Sequence, residues 1–141
     1  MANMVKNKLV VHTHHIGSHF TNGLMPVAAL LITLYFITGD RNFESASFYC
    51  IVLAMMAIPP VFFSGLIDWL TRFQGRSTRI FNHKRVFGVL FMLVSILLVV
   101  WHITRPEVAA PASGTRYVYL AMIYVDTGFA TYLGYLGGKF I

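Results

Sequence analysis

At 141 residues, 57% hydrophobic and only 11% charged, the chain lies far below the roughly 25% charge of ordinary soluble domains, which excludes that class and points to a membrane protein. Its net charge of +6 would suit a nucleic-acid partner, but the basic residues stand between apolar runs, the distribution of a membrane surface. A single cysteine, Cys50, excludes an internal disulfide, and no C-x-x-C-H is present to attach a c-type haem.

The first 19 residues form a polar lead, in which Met4–Val11 reads as an interfacial helix. Lys6 and Lys8 precede no small-residue cleavage site at the right distance, so no signal peptide is expected. The lead closes on His12-Thr13-His14-His15-Ile16-Gly17-Ser18-His19, four histidines just ahead of the apolar run Leu24–Ile37. Four segments are apolar and long enough to span a bilayer, at about 20–38, 47–70, 86–103 and 118–136. All should be helices, because backbone polar groups in lipid must be satisfied within the segment. The fold class is therefore all-α, a polytopic four-transmembrane-helix bundle forming one domain over residues 1–141, since no linker is long enough to divide it.

Orientation follows from the basic residues. Lys6, Lys8, Arg72, Arg76, Arg79, Lys84, Arg85 and Lys139 share one side, and Arg41, Arg105 and Arg116 the other; eight against three puts both termini in the cytoplasm. The outer loops are read as 39–46 and as the Pro/Ala-rich, irregular 104–116. Pro59-Pro60 should kink or break the second span. A faint repeat relates His15-x-x-x-His19-Phe20 to His83-x-x-x-Phe87-Gly88, as two helical hairpins would. On the fourth span Ala130, Gly134 and Gly138 form a small-residue stripe suited to close packing, and Asp126 is an ionisable group deep inside it.

This topology sets His12, His14, His15, His19 and His83 near the cytoplasmic edge and leaves only His102 at the outer one. The first and third helices run parallel, so His19 and His83 reach one depth and can supply the two axial positions of a haem b in the bundle core. His15, one turn before His19, shares its face and would meet a propionate or replace His19 as ligand. Asp68 would orient a ligand histidine through its second nitrogen, and Arg85 would bind a propionate. His12 and His14 are expected to be dispensable. A non-haem metal held by His15, His19, His83 and Asp68 is the alternative, and a cofactor-free anchor or assembly subunit is the third reading.

His14-x4-His19-Phe20-x-x-Gly23-Leu24, Gly65-Leu66-Ile67-Asp68-Trp69, His83 and Gly134-Tyr135-Leu136-Gly137-Gly138 together resemble a family of predicted four-helix bacterial membrane proteins of undefined function. The resemblance runs from about residue 14 to the C-terminus. Members sometimes accompany Rieske iron–sulfur modules, which implies redox work in the bacterial inner membrane. Where the family pattern sets a proline soon after the Phe, this chain has Thr21, with Pro26 later. The layout is also similar to small membrane cytochromes b, a likeness of fold alone. These readings converge on a haem b-binding membrane subunit that transfers electrons within a multi-subunit complex, linked to the quinone pool, with quinone as a further candidate ligand. A chain this small, with no soluble domain of its own, is expected to be an electron-transfer subunit, in contact with lipid and redox partner subunits, rather than a stand-alone enzyme. The topology is tested by cysteine labelling: Ser45→Cys and Ser113→Cys should react from outside the cell and Ser77→Cys should not; the reverse pattern overturns it.

Overall fold

The computed structural model describes residues 2–139, with side chains from His12 onward except at Thr13. Four helices account for most of it: α1 (Ala2–Thr38), α2 (Arg41–Arg72), α3 (Arg79–Thr104) and α4 (Arg116–Gly138). No strand occurs among the described residues, and the all-α class stands. Contacts run α1–α2, α2–α3, α3–α4 and α4–α1, so the helices close into a ring with α1 and α3 on one diagonal. Short connections make consecutive helices antiparallel neighbours. One end of the bundle gathers the start of α1, the α2–α3 turn and the end of α4; it carries eight of the eleven Lys and Arg residues and is called the basic end below.

Three stretches are long and apolar enough to cross a membrane: His14–Thr38, Arg41–Arg72 and Arg79–Thr104. At 23 residues, α4 is about 34 Å long at 1.5 Å per residue, enough for a hydrocarbon layer of about 30 Å. Its five tyrosines, its glycines and Asp126 hold it below the apolarity of the other three. Three of the four expected spans thus meet the criterion by composition, and α4 completes the ring against α1 and α3.

The helix boundaries correct several sequence expectations. The polar lead has no separate interfacial helix: α1 is continuous from Ala2 to Thr38. Thr21 turns its hydroxyl back to the carbonyls of Gly17 and Ser18, and α1 runs on through Pro26. Gly39, at φ +74°, ends α1 by donating its N–H to the Tyr35 carbonyl at 2.8 Å, as a glycine cap does. Asp40 then caps α2 at once, its carboxylate accepting from Asn42 N–H at 2.9 Å. The expected loop 39–46 therefore shrinks to two residues. Pro59-Pro60 do not break α2, which is one helix from Arg41 to Arg72; the prolines only deprive the carbonyls one turn back of their N–H partners. The 105–115 loop folds inward, burying Val108 and Ala109 in the core.

The core is a set of stripes at helical spacing: Met25, Ala28, Ala29 and Ile32 on α1, Ile51, Ala54 and Ile58 on α2, Phe91, Leu98 and Val99 on α3, Ile123 and Ala130 on α4. Polar side chains tie the stripes together. Ser47 donates to the Ala28 carbonyl at 2.8 Å, and Ser95 donates to Asp126 at 2.6 Å. Small residues let the backbones approach. A methyl added at Gly17 would collide with Val61 of α2, whereas one at Gly23 would meet nothing within 4 Å. Gly17→Ala is therefore expected to cost about 1–3 kcal/mol through overpacking, read as a lower unfolding midpoint in detergent, with Gly23→Ala unchanged. Equal midpoints for the two variants would show that α1 and α2 can part without cost.

Candidate functional site at the basic end of the bundle

All four helices border one cavity of about 520 Å³ at the basic end, within the roughly 300–1,000 Å³ typical of small-molecule and cofactor sites. From α1 it receives His14, His15, His19 and Asn22, and from α2 Phe62, Gly65, Asp68 and Arg72. From α3 come Lys84, Arg85, Gly88 and Phe91, and from α4 Leu133, Gly134, Gly137 and Gly138. Its charged and titratable groups are three imidazoles, three cations and one carboxylate, joined by the Asn22 amide and the Ser18 and Thr21 hydroxyls; the remainder of the lining is dominated by apolar and aromatic side chains.

Glycines shape this chamber. The Cβ of a residue at 65 would stand 2.8 Å from His14 Cε1, at 88 it would stand 3.2 Å from the Phe62 ring, and at 134 it would stand 2.6 Å from Asn22 Nδ2. Each glycine thus admits a side chain from the neighbouring helix: His14 over α2, Phe62 over α3, Asn22 over α4. Of the small-residue stripe on α4, Ala130 is fully buried and Gly134 is the closely packed member, while a Cβ at Gly138 would meet nothing within 4 Å.

His14 is the imidazole fixed most firmly. Its Nδ1–H donates to the Val61 carbonyl at 3.0 Å, which joins α1 to α2. With the proton on Nδ1, the neutral ring keeps a lone pair on Nε2. Metal-ligating imidazoles are usually anchored in this way, since the carbonyl sets both tautomer and ring direction. His15 and His19 also line the cavity but are more exposed. Asp68 lines it with Oδ1 3.5 Å from Arg72 Nη1, and the Arg85 guanidinium lies 4.6 Å over the Trp69 ring.

The expected ligand partner, His83, is elsewhere. It faces the other side of the α3–α4 seam, its Nδ1 2.8 Å from the Tyr132 hydroxyl, in a separate cavity of about 260 Å³. Successive residues on a helix point about 100° apart, so Lys84 borders the chamber and its neighbour His83 does not. Of the sequence candidates, His15, His19, Asp68 and Arg85 are brought together and His83 is not. Among the described residues no three His, Cys, Asp or Glu side chains converge to hold a metal ion, so the set His15, His19, His83 and Asp68 is not assembled as a cage. Sequence reasoning set His14 aside as dispensable, although it opens the family motif and Gly17 and Gly65, the small residues that admit the α1–α2 contact, are legible in the sequence.

The far end of the bundle is closed by contrast. His102 stacks on Phe48 with ring centroids 4.1 Å apart, and its Nδ1 lies 3.4 Å from the Tyr119 hydroxyl.

Residues 11–140 match the model of a family described as predicted membrane protein (DUF2231), and the chain belongs to that family. No curated protein matches it, and no solved structure does.

Proposed function

For this member of the predicted membrane protein family, we propose a redox subunit of the bacterial inner membrane that holds a haem b in the chamber at the basic end and passes electrons within a larger complex, next to the quinone pool. The basic end faces the cytoplasm in this reading, in keeping with the excess of Lys and Arg there. The observation that carries it is the chamber itself: a cofactor-sized, largely apolar space with one imidazole locked in the ligating tautomer on its α1–α2 wall and cations on its lining.

The residues fit the group in a particular way. His14, through Nε2, would hold the iron. Arg72, Lys84 and Arg85, against the single carboxylate of Asp68, give the excess positive charge that two propionates need. The ring would lie against Phe62, Phe91 and the glycines of α3 and α4, where side chains are smallest. His14, His15 and His19 all enter the chamber from α1, so the imidazoles come from one wall of it. His83 lines a separate cavity, so the chamber would offer the iron a histidine from α1 alone and not the pair His19 and His83. Haem iron in such a site carries one electron at a time, and its potential is tuned by the imidazole, by hydrogen bonds around it and by burial.

A quinone in the same chamber is the second reading, and the one-sided placement of the imidazoles favours it. A quinone carbonyl needs hydrogen-bond donors such as Asn22, His15 or His19 and no axial pair.

The absorption spectrum of the purified protein decides. A Soret band with a high-spin ferric spectrum is expected; a quinone in the organic extract without a Soret band supports the second reading. Neither cofactor would overturn both and leave an anchor or assembly subunit. With haem present, His14→Ala is expected to lose it and His83→Ala to retain it. Loss in His83→Ala with retention in His14→Ala would restore the α3 ligand and remove this assignment.

A further inference from the structure

The smaller cavity lies outside the chamber and shares no residue with it. It is lined by Arg79, Ile80 and His83 of α3 and by Tyr132, Leu136 and Lys139 at the end of α4. Two cations, an imidazole and a phenol thus converge from two helices, and no Asp or Glu among the described residues borders the space. The chain has five acidic residues, of which only Asp68 stands at the basic end, and Asp68 is paired with Arg72. Arg79 has no ion-pair partner among the described residues, and the Lys139 ammonium lies 4.7 Å over the Tyr135 ring. Positive charge is therefore concentrated here, and no acidic side chain among the described residues answers it.

We propose that this cavity binds a phosphate mono- or diester, the headgroup of an anionic phospholipid at the membrane surface. The donor set suits a phosphate. Arg79 offers a planar fork and Lys139 a point charge. When the Tyr132 hydroxyl donates to His83 Nδ1, the neutral ring carries its proton on Nε2, a third donor. The depth suits a lipid. Arg79 is the first residue of α3 and Lys139 follows the last residue of α4, so the charges sit where the bundle leaves the apolar layer. Ile80 and Leu136 line the same cavity and give the glycerol and upper acyl chain an apolar wall. Basic pockets between helices at a membrane surface commonly take such headgroups. The assignment also gives His83 and Tyr132 a role that the chamber does not.

The test uses the full chain in nanodiscs of phosphatidylcholine with a minor fraction of phosphatidylglycerol, read by native mass spectrometry as lipid retained per protein. Phosphatidylglycerol is expected to be retained over phosphatidylcholine, and Arg79→Ala/Lys139→Ala to weaken that retention roughly tenfold or more, at about a kcal/mol per basic residue. Arg105→Ala, at the far end, should leave it unchanged. Lys139→Gln alone, at an exposed position beyond the helix, serves if the double variant does not fold, and should reduce retention severalfold. Inorganic phosphate is titrated in parallel. Phosphate binding that is lost in the variant, without preference for phosphatidylglycerol, would identify a soluble phosphate compound as the source. Equal retention of the two lipids with no phosphate binding, or a folded variant that retains phosphatidylglycerol undiminished, would overturn the site. None of these readouts depends on a cofactor in the chamber.

Discussion

The hydrogen bond from His14 to the Val61 carbonyl is the contact on which the rest of the basic end depends. A ring can reach a backbone carbonyl on the next helix only if that helix presents no Cβ in its path, which is what Gly65 provides. The backbones must also be close, which Gly17 allows by admitting the Val61 side chain. One polar contact and two missing side chains are therefore a single device. In a low-dielectric medium an unpaired imidazole N–H is costly, so the device also fixes which nitrogen carries the proton. Everything that the chamber wall can do follows from that choice of tautomer.

The same accounting orders the seam between α3 and α4. Three polar pairs bridge it: His83 with Tyr132, Ser95 with Asp126, and His102 with Tyr119. Each sets a side chain that lipid would penalise against a partner on the facing helix, the recurrent use of polar groups between membrane helices. The middle pair is incompletely satisfied. Asp126 is fully buried, with Ser95 on one oxygen and the other without a partner among the described residues. A neutral carboxyl would leave far less to pay there than a carboxylate. With polar groups and five tyrosines along it, α4 reads as less apolar than its neighbours, although it closes the same ring.

The helices were legible because apolar content in runs of this length has few other uses, and because lipid permits little besides helix. Their ends were less legible. Residues 39–46 look like a loop by composition, yet Gly39 and Asp40 form a stop and a start with nothing between. Two adjacent prolines look like a break, yet a helix needs only that neighbouring groups tolerate the lost N–H donors. The chamber was half legible: His15, His19, Asp68 and Arg85 were found by depth. Depth does not give direction around a helix axis. His83 and Lys84 are neighbours in sequence at nearly one level, and only packing decides that the histidine turns to the outer seam and the lysine to the chamber. His14 was passed over for the same reason, because its position one residue before His15 said nothing about which ring α2 would meet.

The two ends of the bundle differ in a way that bears on any electron path. At the basic end the four helices stand apart around a chamber; at the far end His102 is stacked on Phe48 and set against Tyr119, and the loop after α3 plugs the core with Val108 and Ala109. Between them lies a core of close-packed aliphatic and small side chains. A cofactor confined to one end of a bundle about 30 Å thick exchanges electrons with groups on its own side far more readily than across the layer. The far end contributes a single histidine to any second haem. Under the proposed function, an electron path through this chain would enter and leave at the basic end, and a route to the opposite face would need another subunit.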